Sequence, residues 1–368
     1  MSERLVENMK KIKGKQLSEE NPLVTVAIAA YNVEKFLEKG IASVQKQTYK
    51  NLEILIVDDG STDLTPLLCD KMAKEDSRIR VIHKENGGLG SARNMGIELA
   101  HGEFIYFFDV DDSMELNLIE NNVKYMKSLN VDLVIFGYYA RYNNSDIEEA
   151  ICLSERYVKT NEELKKAYVE ELLFLKHGNG FAWNKFYRKK FIDQYGFRFG
   201  NQRIQQDEPF NMQLYLKLKK VYICPKAYYH YVIYDKGNAG SRYLENKFDI
   251  ITDVYHCFMK FYKTWDLNEK NVLDYIYNRY ASGIYDVIST NLFHNDCKLG
   301  KAEKYKLMHQ ILNNYEVIRC IKKAWNKPTL DPVVFGIKHQ MCLFLMIVIP
   351  MKKVVKSIVI SLYVLITI

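Results

Sequence analysis

No two of the seven cysteines, at positions 69, 152, 224, 257, 297, 320 and 342, stand in CxxC spacing, and their number is odd. That argues against a zinc site and for reduced thiols in a cytoplasmic compartment. The opening residues, MSERLVENMKKIKGK, lack the apolar core of a signal peptide, so export by that route is not expected. The chain has no GxxxxGK[ST] phosphate loop, no GxGxxG fingerprint, no internal repeat and no low-complexity tract. Its apolar runs stop short of the roughly 18 residues that a spanning helix needs. Over most of the length the two signs of charge nearly balance. The net charge is +7, and eight lysines and arginines lie beyond Ile311 against two acids, Glu316 and Asp331. The near-neutral remainder argues against a dedicated nucleic-acid binder, and the basic end points to an anionic surface.

What is present is a 368-residue chain with 48% hydrophobic and 26% charged residues, enough for one large or two ordinary domains. A polar leader covers 1–21. Apolar runs at 23–30, 52–57, 78–83, 103–108 and 132–139 read as strands. Helical patterns fall between them at 33–47, 64–75, 88–100 and 115–129, with Thr62 or Asp63 as a cap for the second. Single helices between strands predict right-handed crossovers and a mostly parallel α/β sheet of Rossmann type with flanking helices. Further helices are expected at 161–176 and 208–219, a strand at 221–225, and helix over most of 245–326. The resulting division is 22–240, 241–330 and a basic, apolar tail at 331–368. Lysines in the middle of 341–368 suit a helix lying in a membrane interface better than one crossing it.

Ligands of open parallel sheets bind beyond the carboxyl ends of the strands. Acids collect there. FFDVDDS (107–113) places Asp109 and Asp111 one residue apart, oxygen donors suited to Mg²⁺ or Mn²⁺ with a substrate diphosphate. The same residues also suit an acidic turn capping the next helix. IVDDGSTD (56–63) sets Asp58 at a strand end, where it can accept hydrogen bonds from a base or ribose. HKENGGLGSARN (83–94) supplies Gly87 and Gly88, whose N–H groups can approach a phosphate or ribose, and the fixed charge of Arg93. QQDEPF (205–210) offers Asp207 either as a base or as a helix cap.

Together these segments resemble family 2 inverting glycosyltransferases with the GT-A fold. The resemblance is dense over 23–115, through AIAAYNVEKFLEKGIASVQKQTY, LEILIVDDGSTD and RIRVIHKENGGLGSARNMGIELAHGEFIYFFDVDD, and looser through FAWNKFYRKKF and QDEPFN to about 240. It implies a nucleotide-sugar donor and a glycan or lipid-linked acceptor; taken with the basic, apolar tail on an anionic surface, it points to the inner face of the cell membrane. By the resemblance Ala30, Tyr31, Asn32 and Glu34 line the nucleotide pocket with Gly87, Gly88, Arg93 and Val110. Asp58 holds the uracil edge and Asp109 the ribose. Asp111 holds the metal, with Asp109 and His230 as further ligands. Asp207 is the catalytic base, and Trp183, Asn184 and Lys185 shape the acceptor side.

The chain departs from the family pattern at Ala29, where Pro is common, at Gly90, where Ser is common, and at Gln206, where Glu is common. A nucleotidyltransferase shares the sheet and the metal acids, but AIAAYNVEKF is a poor match to its glycine- and lysine/arginine-rich loop. A catalytically inert membrane scaffold has no need of Asp58, Asp109, Asp111 and Asp207 together.

Overall fold

The computed structural model describes residues 21–178, 180–234, 242–352 and 354, and the structural statements below concern these. The chain divides into two units between Lys236 and Gly237.

In the first unit the runs Val24–Ala30 (β1) and Leu52–Asp58 (β2) pair in parallel, and nearly all their side chains are buried. Ile79–His83 (β3) joins β2 and Phe104–Phe108 (β4) joins β1, both in parallel. The crossovers are Glu34–Gln45 (α1), Thr65–Glu75 (α2) and Leu89–Leu99 (α3). Burial on both faces is why these strands read as unbroken apolar runs rather than alternating ones. The registers bring the carboxyl ends level: Ala30 opposes Asp58, Asp58 opposes His83, and Ile28 opposes Phe108, after which the chain enters Asp109.

Beyond β4 come Ser113–Met114 (β5), Leu118–Leu129 (α4), Leu133–Tyr142 (β6), Glu149–Ile151 (β7), Arg156–Val158 (β8) and Asn161–Glu170 (α5). They are followed by Lys185–Arg188 (β9), Lys189–Tyr195 (α6), Asp207–Tyr215 (α7) and Val221–Ile233 (β10). The strand order is β3-β2-β1-β4-β9-β6-β10-β5, with β7 on β6 and β8 on β10. The sheet is mostly parallel; β9 runs against both its neighbours and fills the gap between β4 and β6. The strand expected at 221–225 continues to Ile233 through irregularities near Pro225, and the helix expected over 161–176 ends at Glu170.

The second unit is helical: Lys247–Thr264 (α8), Lys270–Asp286 (α9), Lys301–Leu312 (α10), Tyr315–Ala324 (α11) and Pro332–Lys338 (α12). Tyr255 of α8 stacks on Tyr280 of α9 with ring centres 4.4 Å apart. Side-chain caps start the later helices: Asn314 accepts from the Glu316 and Val317 N–H groups, and Asp331 from those of Val333 and Val334. Residues 342–352 are helical again, with Cys342, Leu345 and Ile349 buried. The expected tail is therefore, over its first half, built into this unit. Residues 355–368 lie outside the described residues, as does the leader at 1–20.

Candidate active site

Two loops at the carboxyl edge are laced together by side chains. Asn32 has a left-handed backbone (φ 53°), and its Oδ1 accepts the Thr62 N–H at 2.8 Å. Its own N–H donates to Ser61 Oγ at 3.0 Å. Glu34 Oε2 accepts the Leu64 N–H at 3.0 Å. These bonds tie the turn after β1 to the turn after β2 and leave Tyr31 exposed at the tip. Ala30 is buried below, its carbonyl accepting the Asp59 N–H. Asp58 accepts the Ser61 N–H with one oxygen and pairs with His83 Nδ1 at 2.8 Å with the other. His83 reaches Asp70 with its second nitrogen, and its two acidic partners raise its pKa.

The deepest part joins three distant segments. Arg93 of α3, only 3% exposed, donates to Asp109 Oδ1 at 2.9 Å and to Asp207 Oδ1 at the start of α7. Burial opposes the guanidinium's charge, and the two carboxylates more than offset this. Asp207 Oδ2 accepts the Ala182 N–H at 2.9 Å. Asp207 is thus the first helical residue rather than the cap: Gln206 occupies the cap position, and the Asp207 carboxylate turns to Arg93. Asp111 is exposed at the surface of the site, yet the surrounding protein desolvates it, and with the Asp109 charge added this pushes its carboxyl up to about 6. The main chain of buried Val110 rests on Gly40 of α1, where an added Cβ would stand 2.9 Å from Val110 Cα and closer still to its carbonyl oxygen.

Residues 25–196 match the model of the family described as Glycosyl transferase family 2. The Bacillus subtilis protein EpsH, which carries the name of a glycosyltransferase, is 33% identical over 258 residues, covering 69% of this chain and 72% of its own. The chain belongs to glycosyltransferase family 2. Staphylococcus aureus TarS, solved with UDP-GlcNAc, shares the fold at a TM-score of 0.56 and 19% identity, covering 88% of this chain and 89% of that one. The Pyrobaculum calidifontis mannosyltransferase PcManGT, solved with GDP-Man and Mn²⁺, does so at 0.50 and 14%, covering 94% and 93%.

In this glycosyltransferase several expected roles meet a different geometry. The N–H groups of Gly87 and Gly88 both donate to the Asp59 carboxylate, at 2.9 and 2.7 Å, and Lys84 Nζ binds the same acid at 2.6 Å. Asp59 thus engages both N–H groups of the glycine loop. Gly90 replaces the common Ser because a Cβ there would collide with the Gly200 carbonyl. Trp183, Asn184 and Lys185 do not line an open acceptor side: all three are buried, leading into or starting β9. Trp183 is stacked between Phe181 and Tyr229, at 4.4 and 4.3 Å. Lys185 Nζ donates to the Phe181 carbonyl, and burial brings its ammonium down to about 7. His230 is not brought to Asp111; its ring nitrogens pair with Glu148 and Glu115 and its ring stacks on Tyr139. Strand alternation explains this: Tyr229 and Tyr231 point the other way, towards Trp183.

Asp112, the third acid of the motif, is a structural lock. It accepts from the Tyr229 hydroxyl and the Val232 N–H, both at 2.8 Å, and so fixes β10 beside Asp109. Tyr231 and Tyr234, overlooked in the sequence, come near the acids. Burial and the charges of Asp112, Asp109 and Asp111 push the Tyr231 hydroxyl up to about 12, and Tyr234 meets Phe36 of α1 edge to face at 6.0 Å. For Tyr231, alternation in YYHYVIY was the available signal; Tyr234, just past the end of β10, had none. Among the described residues no three His, Cys, Asp or Glu side chains gather as a metal cage. The pair Asp109 and Asp111 still fits Mg²⁺ or Mn²⁺, which take one or two carboxylates and complete their shell with water and substrate phosphates. The raised Asp111 carboxyl marks negative charge that a cation would relieve.

Proposed function

We propose that this glycosyltransferase moves a sugar from a nucleoside-diphosphate donor, UDP-linked by preference, to a hydroxyl of a glycan or lipid-linked acceptor with inversion. The carrying observation is the Arg93 bridge, which holds Asp109 and Asp207 on opposite sides of one guanidinium with Asp111 beside them. The donors bound in TarS and PcManGT support a nucleotide-sugar. Tyr31 and Asp58, at the ends of β1 and β2, are the candidates for the base and ribose. Asp109 and Asp111 would hold Mn²⁺ or Mg²⁺, whose positive charge supports departure of the nucleoside diphosphate.

The chain's own residues supply the rest. Arg93 and the Ala182 N–H fix the direction of the Asp207 carboxylate. A carboxylate retains lone pairs after accepting from Arg93 and from Ala182 N–H, so Asp207 can take the acceptor proton. The acceptor oxygen then forms its bond to the anomeric carbon as the bond to the diphosphate oxygen breaks. One displacement with one base gives inversion. The test is incubation of the full chain with a panel of nucleotide-sugars and candidate acceptors. Release of free nucleoside diphosphate with an inverted product is expected. Release of pyrophosphate, or a retained anomer, would overturn the reading.

The place of action in this reading is a membrane surface. Among the described residues no helix is long and apolar enough to cross a membrane. The helix at 342–352 instead carries outward Leu343, Ile347 and Met351, with Val354 following, and these fall on one face at helical spacing.

A further inference from the structure

The helical unit has a cleft of about 500 Å³ between α8 and α11, lined by residues of these two helices. Its walls carry Lys260, Lys263 and Arg319, with His256 and Glu316 closing one side, over a floor that includes Tyr255. His256, Lys260 and Lys263 follow one another at helical spacing on a single face of α8. Glu316, the acid in the lining, is engaged by His256 Nε2 at 2.8 Å. Arg319 is steadied by the Tyr277 hydroxyl at 3.4 Å. Among the described residues neither Lys260 nor Lys263 is paired with an acid. Three cations thus line one concavity, and Glu316, the one carboxylate in its lining among the described residues, is already engaged by His256.

Such crowding of like charge is unfavourable without an anion, and a concave low-dielectric wall focuses it. A flat solvated face would spread the lysines instead of turning them into a cleft. The volume suits a ligand of one or two sugar rings. Tyr255 and Met259 offer apolar surface, and Thr264 a hydroxyl.

We propose that this cleft binds a phosphate ester on a sugar-sized ligand, as a second site that holds a phosphorylated acceptor. The identity of that ligand as acceptor rests on the transferase reading; phosphate binding to the cleft does not. Arg319 supplies a two-pronged donor and the two lysines point charges, the usual pairing for phosphate oxygens.

The experiment uses the full chain and its Lys260→Gln/Lys263→Gln variant, in which both altered side chains are exposed. Glucose 1-phosphate and glycerol 3-phosphate are titrated by calorimetry, with glucose as the uncharged control. UDP binding is followed separately by thermal shift, so failure of the donor reading shows there and not in the cleft. The expected result is phosphate-ester binding that weakens by about ten-fold in the variant and loses much of its salt dependence, with UDP protection unchanged. Equal binding by variant and wild type, or no preference for the phosphate esters over glucose, would overturn the proposal. A second arm measures co-sedimentation with phosphatidylglycerol vesicles. It should be the same for both proteins; loss of vesicle binding in the variant, with flat sugar-phosphate titrations, would assign the cleft to lipid headgroups and overturn it.

Discussion

At the scale of single residues, charge is settled by who shares each carboxylate. Asp109 and Asp207 share Arg93, Asp112 is taken by Tyr229 and Val232, and Asp111 is left with burial and a like-charged neighbour. Two predictions follow from that division. Asp207→Asn keeps the shape and the bond from Ala182 but cannot take a proton. General-base assistance is worth about 10²–10⁴-fold, so kcat should fall by that order while donor affinity holds. Turnover near wild type would remove Asp207 from the mechanism. For Asp111 the folded carboxyl titrates near 6, above its unfolded value. The folded state therefore binds the proton more readily, and the penalty of the ionised form is present above pH 6 and relieved as pH falls towards 4. Without metal, Asp111→Asn should melt higher than wild type at pH 7.5 and no higher at pH 4, while losing turnover. Identical melting curves at both pH values would show that Asp111 carries no such penalty.

At the scale of elements, the alternation of strands and helices through β4 was legible because each strand is buried on both faces and each helix repeats its apolar side. β9 was not. It has four residues, two of them charged, and it pairs antiparallel between parallel strands, so neither period nor composition marks it. Trp183, Asn184 and Lys185, given the acceptor side by the family resemblance, are buried where the chain leads into or starts this short strand. Gly87 and Gly88 could be recognised as a loop needing free backbone, but their partner Asp59, 28 and 29 residues earlier, is set by tertiary contact alone. Gly40 is the element-scale counterpart. Its missing side chain lets α1 touch Val110, between the two acids Asp109 and Asp111. Gly40→Ala gains about 1 kcal/mol of helix propensity and loses about 1–3 kcal/mol to overpacking. Melting should move by only a few degrees. Displacing the acids by even about 1 Å can cost roughly 10²-fold in rate, so kcat should drop far more than stability does. Wild-type kcat in this variant would show that the loop tolerates the shift.

At the scale of the whole molecule, apolar surface and positive charge gather towards the same end of the chain. In the helix at 342–352, Cys342, Leu345 and Ile349 pack inward, so truncation there would remove core residues and confuse anchoring with folding. Leu343 and Ile347 are 70% and 61% exposed, and changing them leaves that packing alone. Lys352 is paired with Asp331 at 2.8 Å and Lys338 with the Lys327 carbonyl, so the contact this stripe offers is apolar. Burying a Leu or Ile side chain contributes roughly 1.5–3 kcal/mol, so Leu343→Gln with Ile347→Gln should weaken partition onto anionic vesicles by on the order of 100-fold. Because apolar burial is not screened, raising the salt on wild type should release only part of the bound protein. The melting temperature should stay at the wild-type value, which separates lost contact from lost fold. Unchanged pelleting of the double variant would mean that this stripe does not meet lipid.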